Sequence, residues 1–231
     1  DQLFSLFIDS SKKLFCGYNN KGYDDLIMNY LIEYYRVFAT SPYNAICSSV
    51  KHMSDIIVSA KTKEDKDRFI HYQYLNYFES MDLLRMMFSS KLRIGLKEMQ
   101  ITMFYPNVQE YDGDFDAPIP DSEIDNMIEY NMNDVNSTEE LLYRLKDKGE
   151  IDVRLFMENE YGINALSMDS VKFGEEMLLD QYCKKTGLDK QYVKTLRSPM
   201  DYVPLKDVIL PFIQYKNPIL QGVLEEMRQQ V

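Results

Sequence analysis

Residues 14–37 read LFCGYNNKGYDDLIMNYLIEYYRV, and this stretch decides the fold that the sequence predicts. Its first five residues form an apolar run that is too short for a helix, which favours a buried strand. The Asn-Asn-Lys-Gly tetrapeptide that follows is typical of a turn. From Tyr23 onward, apolar residues recur at helical spacing. The stretch therefore predicts a strand, a turn and a helix in that order.

Further elements are predicted on either side of this unit. Residues 69–78 are dense in Tyr and Phe and predict a strand near their end. Residues 40–66 are rich in Ser, Lys and Asp without a sustained pattern, so we expect a variable insertion that holds at most a short helix. The predicted helices cover residues 1–11, 83–89 and 96–104, a long segment from Asp121 or Ser122 towards Gly149, and short segments beyond it that Gly162, Gly174 and Gly187 separate.

The change of pattern near residue 150 predicts two parts. A chain of 231 residues with 45% hydrophobic residues is long enough for one large domain and a smaller appendage. We expect residues 1–150 to form an α/β domain and residues 151–231 to form a mainly helical connector.

The net charge of −11 argues against a protein that holds duplex DNA through a broad basic face. Residues 1–150 carry 16 Lys and Arg against 25 Asp and Glu, whereas residues 151–231 carry 10 against 12. The acidity therefore belongs to the first part. Since divalent metal ions can offset such charge, the composition favours a metal site over a basic DNA-binding module.

Cysteine and histidine usage excludes several other classes. Cys16, Cys47 and Cys183 lie far apart, which argues against a disulfide framework and for a reducing compartment such as the cytoplasm. His52 and His71 have no metal-binding spacing, so a histidine-based enzyme is not expected. No apolar stretch reaches the roughly 18 residues of a membrane span, and no membrane partner is expected.

The first short motif is Asn20-Lys21-Gly22-Tyr23-Asp24, placed where the predicted strand passes into the predicted helix. Asp24 stands at the helix start, where the positive end of the helix dipole favours a carboxylate. Two interpretations follow from this position. Asp24 caps the helix in a polar turn, or it supplies a carboxylate to a functional site.

The second motif is Tyr130-Asn131-Met132-Asn133-Asp134, inside the long predicted helix. A spacing of four residues brings the phenol of Tyr130 and the carboxylate of Asp134 to one helical face. Such a pair can share a water, with the carboxylate holding a metal ion and the hydroxyl orienting the water. The same spacing also arises by chance in many helices.

Together the two motifs resemble those of the DEDD exonucleases with a tyrosine in their third motif, in particular the proofreading domains of phage B-family DNA polymerases, including protein-primed ones. In that family the second motif reads N-x-x-[FY]-D at a strand-to-helix junction. The third reads Y-x-x-x-D, usually followed by Val or Ile, and here Val135 follows Asp134. The resemblance implies a ribonuclease-H-like fold, a mixed sheet flanked by helices. It also implies hydrolysis of the 3′-terminal phosphodiester of single-stranded DNA with two Mg²⁺ or Mn²⁺ ions.

The resemblance also assigns roles to individual residues. Asp24 and Asp134 are the implied metal ligands, and Tyr130 would orient the attacking water. Lys97, within Leu96-Lys97-Glu98-Met99, resembles a lysine that protein-primed phage polymerases present to the exonuclease site, although a lysine at a helix start is often a surface residue. The residues that would contact the DNA 3′ end are Asn20, Tyr23, Ser80 and Met81, of which Ser80 and Met81 also suit a turn and the core.

One family motif is missing. Residues 1–19 contain no D-x-E on an early strand, and Asp9 has no Glu two residues later. We therefore expect residues 1–150 to be an exonuclease-like domain without its first-motif strand, and residues 151–231 to lead towards a missing polymerase domain of the same chain. The implied place of action is the cytoplasm of a bacterial host during phage replication. Two alternatives stay open: a non-catalytic DNA-holding or protein-interaction module on the same scaffold, and a stand-alone exonuclease with a C-terminal helical cap.

Overall fold

The computed structural model describes residues 5, 14–75, 77–88, 92, 94–111, 113, 117–196 and 202–230. The chain divides into two compact units, residues 1–178 and 179–231. Apart from Ser5, the helix predicted over residues 1–11 lies outside the described residues. No helix of the described part is long and apolar enough to cross a membrane.

The described residues form two short strands and twelve α-helices. The first unit holds β1 (Leu14–Gly17), β2 (Glu79–Asp82), α1 (Asp24–Glu33), α2 (Tyr35–Phe38), α3 (Tyr43–Ser59), α4 (Lys63–Asp67), α5 (Leu83–Met87), α6 (Leu96–Thr102), α7 (Ile124–Asp147) and α8 (Glu150–Tyr161). The division between the units falls within α9 (Ser170–Thr186). The second unit holds α10 (Lys190–Thr195), α11 (Leu205–Val208) and α12 (Pro218–Arg228).

The predicted strand, turn and helix at the start of the first unit are confirmed. β1 passes through a 3-10 turn at Asn20–Gly22 into α1, which begins at Asp24. Asn19 enters the turn with a φ of 61°, a left-handed conformation that asparagine tolerates better than most side chains. Gly17 is required just before the turn, since a Cβ there would lie 2.8 Å from the side chain of Asn20.

The two strands pair in parallel, with Leu14 opposite Glu79 and Gly17 opposite Asp82. Parallel strands need a long crossover connection, and residues 18–78 provide it with helices α1 to α4. The carboxyl ends of both strands therefore meet at one edge, where β1 leads into the turn and β2 leads into α5.

The expected ribonuclease-H-like fold, a mixed sheet flanked by helices, is wrong. Among the described residues the sheet has two parallel strands, and the other regular structure is helical. The strand expected near the end of residues 69–78 begins just after them, as β2 at Glu79, and Ile70–Tyr74 form a 3-10 turn instead. Phe69 and Tyr72 are both buried in one core, and a spacing of three places side chains together in a 3-10 turn but on opposite faces of a strand.

Residues 40–66 also differ from the expected insertion, because they hold the 17-residue helix α3. Met53 of this helix is buried beside Leu26 of α1, and Ile56 and Ile57 pack against the same core. These three α3 residues follow the helical spacing of three and four. The Ser and Lys residues around them obscure that pattern in the sequence.

The larger core of the first unit is rich in methionine. Methionine is unbranched and adapts to irregular gaps, so it suits a core built where several short elements meet. The buried side chains come from β2, α5, α6, α7, α8 and the segment after α8, and they are Met81, Leu83, Met86, Met99, Met103, Leu141, Leu145, Ile151 and Leu166.

A buried arginine fixes the chain around α8. Arg154 is 2% exposed, and its guanidinium donates to the carbonyl oxygens of Met86, Glu150 and Met168. It also pairs with the carboxylate of Glu150 at 2.7 Å. Met86 lies in the last turn of α5, where carbonyl groups have no partner within the helix, so Arg154 satisfies one of them and joins α5 to α8 and to the segment after α8.

Glycines shape the connections after α7 as the sequence suggests, with one exception. Gly149, Gly162 and Gly187 adopt φ values of 74°, 67° and 71° next to helix ends. Gly174, expected to separate two helices, lies inside α9. The predicted functional boundary near residue 150 is not tested by these positions and stays a prediction.

The second unit is held by polar contacts around α12. Asn217 caps this helix by accepting from the backbone N–H of Ile219 at 2.9 Å. Arg228 donates to the carbonyl oxygens of Leu210 and Ile213 at 3.2 and 3.0 Å. The C-terminal end of α12 is therefore fixed to the preceding segment of the same unit.

Asp82, at the end of β2, connects most of the elements at the strand ends. Its side chain is 0% exposed, and its carboxylate accepts from the backbone N–H groups of Asn19, Lys21 and Arg85 at 3.0, 3.2 and 3.2 Å. Its own N–H donates to the hydroxyl of Ser167 at 3.1 Å. One carboxylate thus caps α5 and shapes the turn that follows β1.

Replacing Asp82 with Asn should lower the free energy of unfolding by about 2–4 kcal/mol, because the amide NH₂ group would face backbone N–H groups that now have an acceptor. Chemical denaturation measures the loss. Asp55→Asn is the matched control, since the Asp55 side chain is 56% exposed and its change should stay within about 0.5 kcal/mol. A loss no larger than that of the control would contradict a central role for Asp82.

Candidate active site

Most of the residues singled out from the sequence lie in two polar clusters of the first unit, together with neighbours that were not predicted. The strand-end cluster consists of Asn20, Lys21, Asp24, Asp25 and Ser80, where β1 and β2 end. The helix cluster consists of Lys97 and Gln100 from α6 and of Tyr130, Asp134 and Ser137 from α7.

Asp25 is the internally paired carboxylate of the strand-end cluster. It accepts hydrogen bonds from the side-chain amide of Asn20 at 2.9 Å and from the hydroxyl of Ser80. The ammonium of Lys21 lies 3.9 Å from this carboxylate and donates to the same hydroxyl at 3.0 Å. Asp25 is thus satisfied by protein groups and holds the turn, β2 and α1 together.

Asp24 has a different environment, although it is the preceding residue. It is exposed as a residue, yet burial around its carboxyl group raises its pKa, and the nearby carboxylates of Asp25 and Asp82 raise it further. A hydrogen bond with its own backbone N–H offsets part of this rise in pKa. Since like charges surround this carboxylate, a bound cation would stabilise its ionised form.

The four residues expected to contact DNA have mostly internal contacts. Asn20 is buried against Asp25, and Met81 lies in the methionine-rich core. The hydroxyl of Tyr23 shares a 2.7 Å hydrogen bond with that of Ser54 on α3. Ser80 is part of the strand-end cluster, as described. In this arrangement Asn20 and Met81 support the strand ends, and a DNA base would not reach them.

The helix cluster brings together three residues that the sequence assigned from separate segments. The ammonium of Lys97 hydrogen-bonds to Oδ1 of Asp134 and lies 4.4 Å from the ring centroid of Tyr130. An ammonium over an aromatic face is attracted by the ring quadrupole, so Lys97 holds both side chains. Lys97, Tyr130 and Asp134 therefore form one contiguous group.

Gln100 also belongs to this cluster, although it was not predicted from the sequence. Its side-chain NH₂ donates to Oδ1 of Asp134 at 3.2 Å and to the hydroxyl of Ser137 at 2.7 Å. It lies three residues after Lys97, so both face α7 from one side of α6. That spacing was readable from the sequence, but the complete burial of an amide was not.

Asp24 and Asp134 were expected to share a metal cluster. Within the described part of the chain, no hydrogen bond or ion pair joins these carboxylates, and no three His, Cys, Asp or Glu residues come together as metal ligands. Tyr18 is close to both the end of β2 and the start of α6: burial, Asp82 and then Glu98 of α6 raise its pKa to about 12. Its hydroxyl donates to the carbonyl oxygen of Ile94, just before α6, at 2.8 Å.

Each of the two carboxylates, taken separately, offers the oxygen ligands that Mg²⁺ prefers. Mg²⁺ is commonly held by one or two carboxylates together with waters and substrate phosphates, without a protein cage. Asp24 has an environment that favours a cation, and Oδ2 of Asp134 is used by neither Lys97 nor Gln100.

Comparison with known proteins gave no match to a family model, to a curated protein or to a solved structure.

Asp24→Asn should raise the free energy of unfolding at neutral pH, by less than about 1 kcal/mol because water screens an exposed residue. The folded protein raises the pKa of Asp24, so folding favours its protonated form and the ionised form costs stability. The gain from Asn should therefore be present above the raised pKa and disappear as the pH falls below 3.8, the ordinary value.

Asp25→Asn is the matched control for this measurement. It removes a carboxylate that accepts from Asn20 and Ser80, so stability at neutral pH should fall. Denaturant unfolding of both variants at neutral and acidic pH gives the comparison. A loss of stability for Asp24→Asn at neutral pH would contradict an uncompensated carboxylate at this position.

Proposed function

We propose that this chain belongs to a 3′→5′ exonuclease that removes nucleotides from single-stranded DNA ends with Mg²⁺ or Mn²⁺, as the proofreading part of a phage DNA polymerase. The observation that carries the proposal is the contact of Lys97 with both Tyr130 and Asp134. The resemblance assigned Lys97 from one segment and the other two residues from another.

This contact supports the proposal because the spacing of Tyr130 and Asp134 does not by itself bring a lysine to them. A Tyr and an Asp one turn apart occur in many helices, but they need no lysine from a second helix. Lys97 is 37 residues away from Asp134 in the sequence. The side chains also meet at low exposure, since Lys97 is 22% and Asp134 is 26% exposed. Both side chains are therefore partly exposed, which is the degree of exposure that a catalytic site requires.

The chain's own residues would divide the work as follows. Asp24 and Oδ2 of Asp134 would hold the metal ions, two in the complete site. When bound, these ions would activate water and neutralise charge that develops on the phosphate. The Tyr130 hydroxyl would orient the attacking water, while Lys97 keeps the Tyr130 ring and the Asp134 carboxylate in place.

A second candidate is a non-catalytic module that holds DNA on the same scaffold. The strand-end cluster favours a non-catalytic role, because Asn20 and Ser80 both donate to Asp25 and few groups are left there for chemistry. The two candidates differ in their dependence on metal ions. The exonuclease requires a cation at Asp24 and Asp134, whereas a holding module does not.

A Mn²⁺ titration separates the candidates. Mn²⁺ should broaden the NMR signals near Asp24 and Asp134, and the double variant Asp24→Asn, Asp134→Asn should lose this effect. Asp55→Asn, on the exposed side of α3, should keep it. Binding of a single-stranded oligonucleotide without any response to Mn²⁺ would favour the holding module.

Residues 1–231 by themselves should show little nuclease activity, because two carboxylates are too few anionic ligands to hold two ions against water. Release of labelled nucleotides from the 3′ end of single-stranded DNA measures this activity. Rapid Mg²⁺-dependent degradation by the pure protein would show that further ligands exist in the chain.

In a polymerase that carries this chain, Tyr130→Phe should slow excision of mismatched 3′ ends by roughly 10- to 1000-fold, because it deletes one positioned hydroxyl worth about 2–4 kcal/mol. Asp134→Ala should slow excision more, since it removes a metal ligand. Polymerisation should survive both changes.

Single-turnover excision gives these rates, and Tyr143→Phe is the matched control. Tyr143 lies on the same helix, is exposed, and its hydroxyl bonds to the exposed Glu139 at 3.2 Å. If Tyr130→Phe excised as fast as Tyr143→Phe, the mechanism assigned to Tyr130 would be lost.

A further inference from the structure

Gln100 is a fully buried amide that contacts the carboxylate of Asp134. We infer that it is a positioning residue, which orients Asp134 so that Oδ2 is presented to a metal ion or to its water. The inference rests on the proposed function. Gln100 itself would touch neither DNA nor metal.

The burial of Gln100 has an energetic cost. Its side chain is 0% exposed, and its Oε1 is buried without a hydrogen-bond partner among the described residues. A buried acceptor without a partner lowers the stability of the fold. Leucine or methionine would fill the same space without this cost. What the amide adds is therefore its pair of N–H donors.

These donors have one possible orientation. One N–H reaches Asp134 and the other reaches Ser137, at 3.2 and 2.7 Å. If the amide were turned over, its oxygen would face the carboxylate and repel it. Ser137 in turn donates to the backbone carbonyl of Asp134 at 2.9 Å. Two groups of α7, the carboxylate of Asp134 and the hydroxyl of Ser137, therefore hold the amide.

The two donors from α6 converge on the same atom. Lys97 and Gln100 both bond to Oδ1 of Asp134, and neither bond uses Oδ2. Lysine is a flexible point charge that follows a carboxylate when it rotates, whereas a buried amide cannot. Gln100 therefore fixes the rotation of the Asp134 carboxylate, and Lys97 supplies the charge. Removing such a supporting partner commonly costs 10- to 100-fold in metal affinity.

The experiment compares Gln100→Met with Thr138→Ala. Gln100→Met retains an unbranched side chain in the core but removes both donors. Thr138→Ala removes a hydroxyl that donates to the backbone carbonyl of Asp134 at 2.8 Å and leaves both bonds of the amide in place. Two quantities are measured for each variant: the Mn²⁺ dissociation constant from NMR line broadening, and the side-chain rotamer of Asp134 from coupling constants. Gln100→Leu replaces Gln100→Met if the latter does not fold.

We expect Gln100→Met to weaken Mn²⁺ binding by about 10-fold or more and to let Asp134 sample several rotamers. Thr138→Ala should stay within about twofold of the parent protein with one rotamer. Unchanged affinity in Gln100→Met, or an equal loss in Thr138→Ala, would overturn the positioning role. Equal Mn²⁺ binding by the parent and by Asp134→Asn would overturn the proposed function and this inference together, because Asp134 would then hold no metal.

Discussion

The Asp82 carboxylate is the constraint on which the strand ends depend. It lies in the interior without contact with water, so its charge must be balanced by donors that the fold supplies. Backbone N–H groups of the turn after β1 and of the first turn of α5 donate to it, and the guanidinium of Arg85 lies 3.5 Å away. The turn can therefore take its shape only where β2 ends. The start of α1, and with it Asp24, is fixed by the same requirement.

The contact between α6 and α7 combines a core with a polar network. Met99 of α6 and Met103, which directly follows this helix, are buried in the core, while Gln100 of α6 is buried against Asp134. Apolar packing fixes the distance between the helices without specifying a rotation of any carboxylate. Directional hydrogen bonds specify that rotation, at the cost of a buried amide oxygen without a partner. The buried amide oxygen of Gln100 lowers the stability of the fold, while the amide N–H groups orient the side chain of Asp134.

Local features of the fold could be predicted from the sequence, and non-local ones could not. The strand, turn and helix at residues 14–37 follow from apolar spacing and from turn residues, which act over a few positions. The number of strands in a sheet depends on pairing between distant segments, so a resemblance to a sheet-rich family misled the fold prediction. Phe69 and Tyr72 show the same limit, since only the core they enter decides between a turn and a strand. In the site, Lys97, Tyr130 and Asp134 were readable as motifs, but Gln100 was not, because its role depends on burial.

Asp24 and Asp25 are adjacent in the first turn of α1, but their carboxylates have different environments. Both stand at the positive end of α1, so the helix dipole favours each carboxylate alike. Asp25 accepts hydrogen bonds from Asn20 and Ser80, and these bonds join β2 to the turn. Asp24 faces the like charges of Asp25 and Asp82, and nothing beyond its own backbone N–H offsets them in the pKa of its carboxyl group. Neither carboxylate is at the N-cap of α1, since Tyr23 occupies that position. The second carboxylate raises the electrostatic cost of the cluster, and a cation bound there would remove that cost.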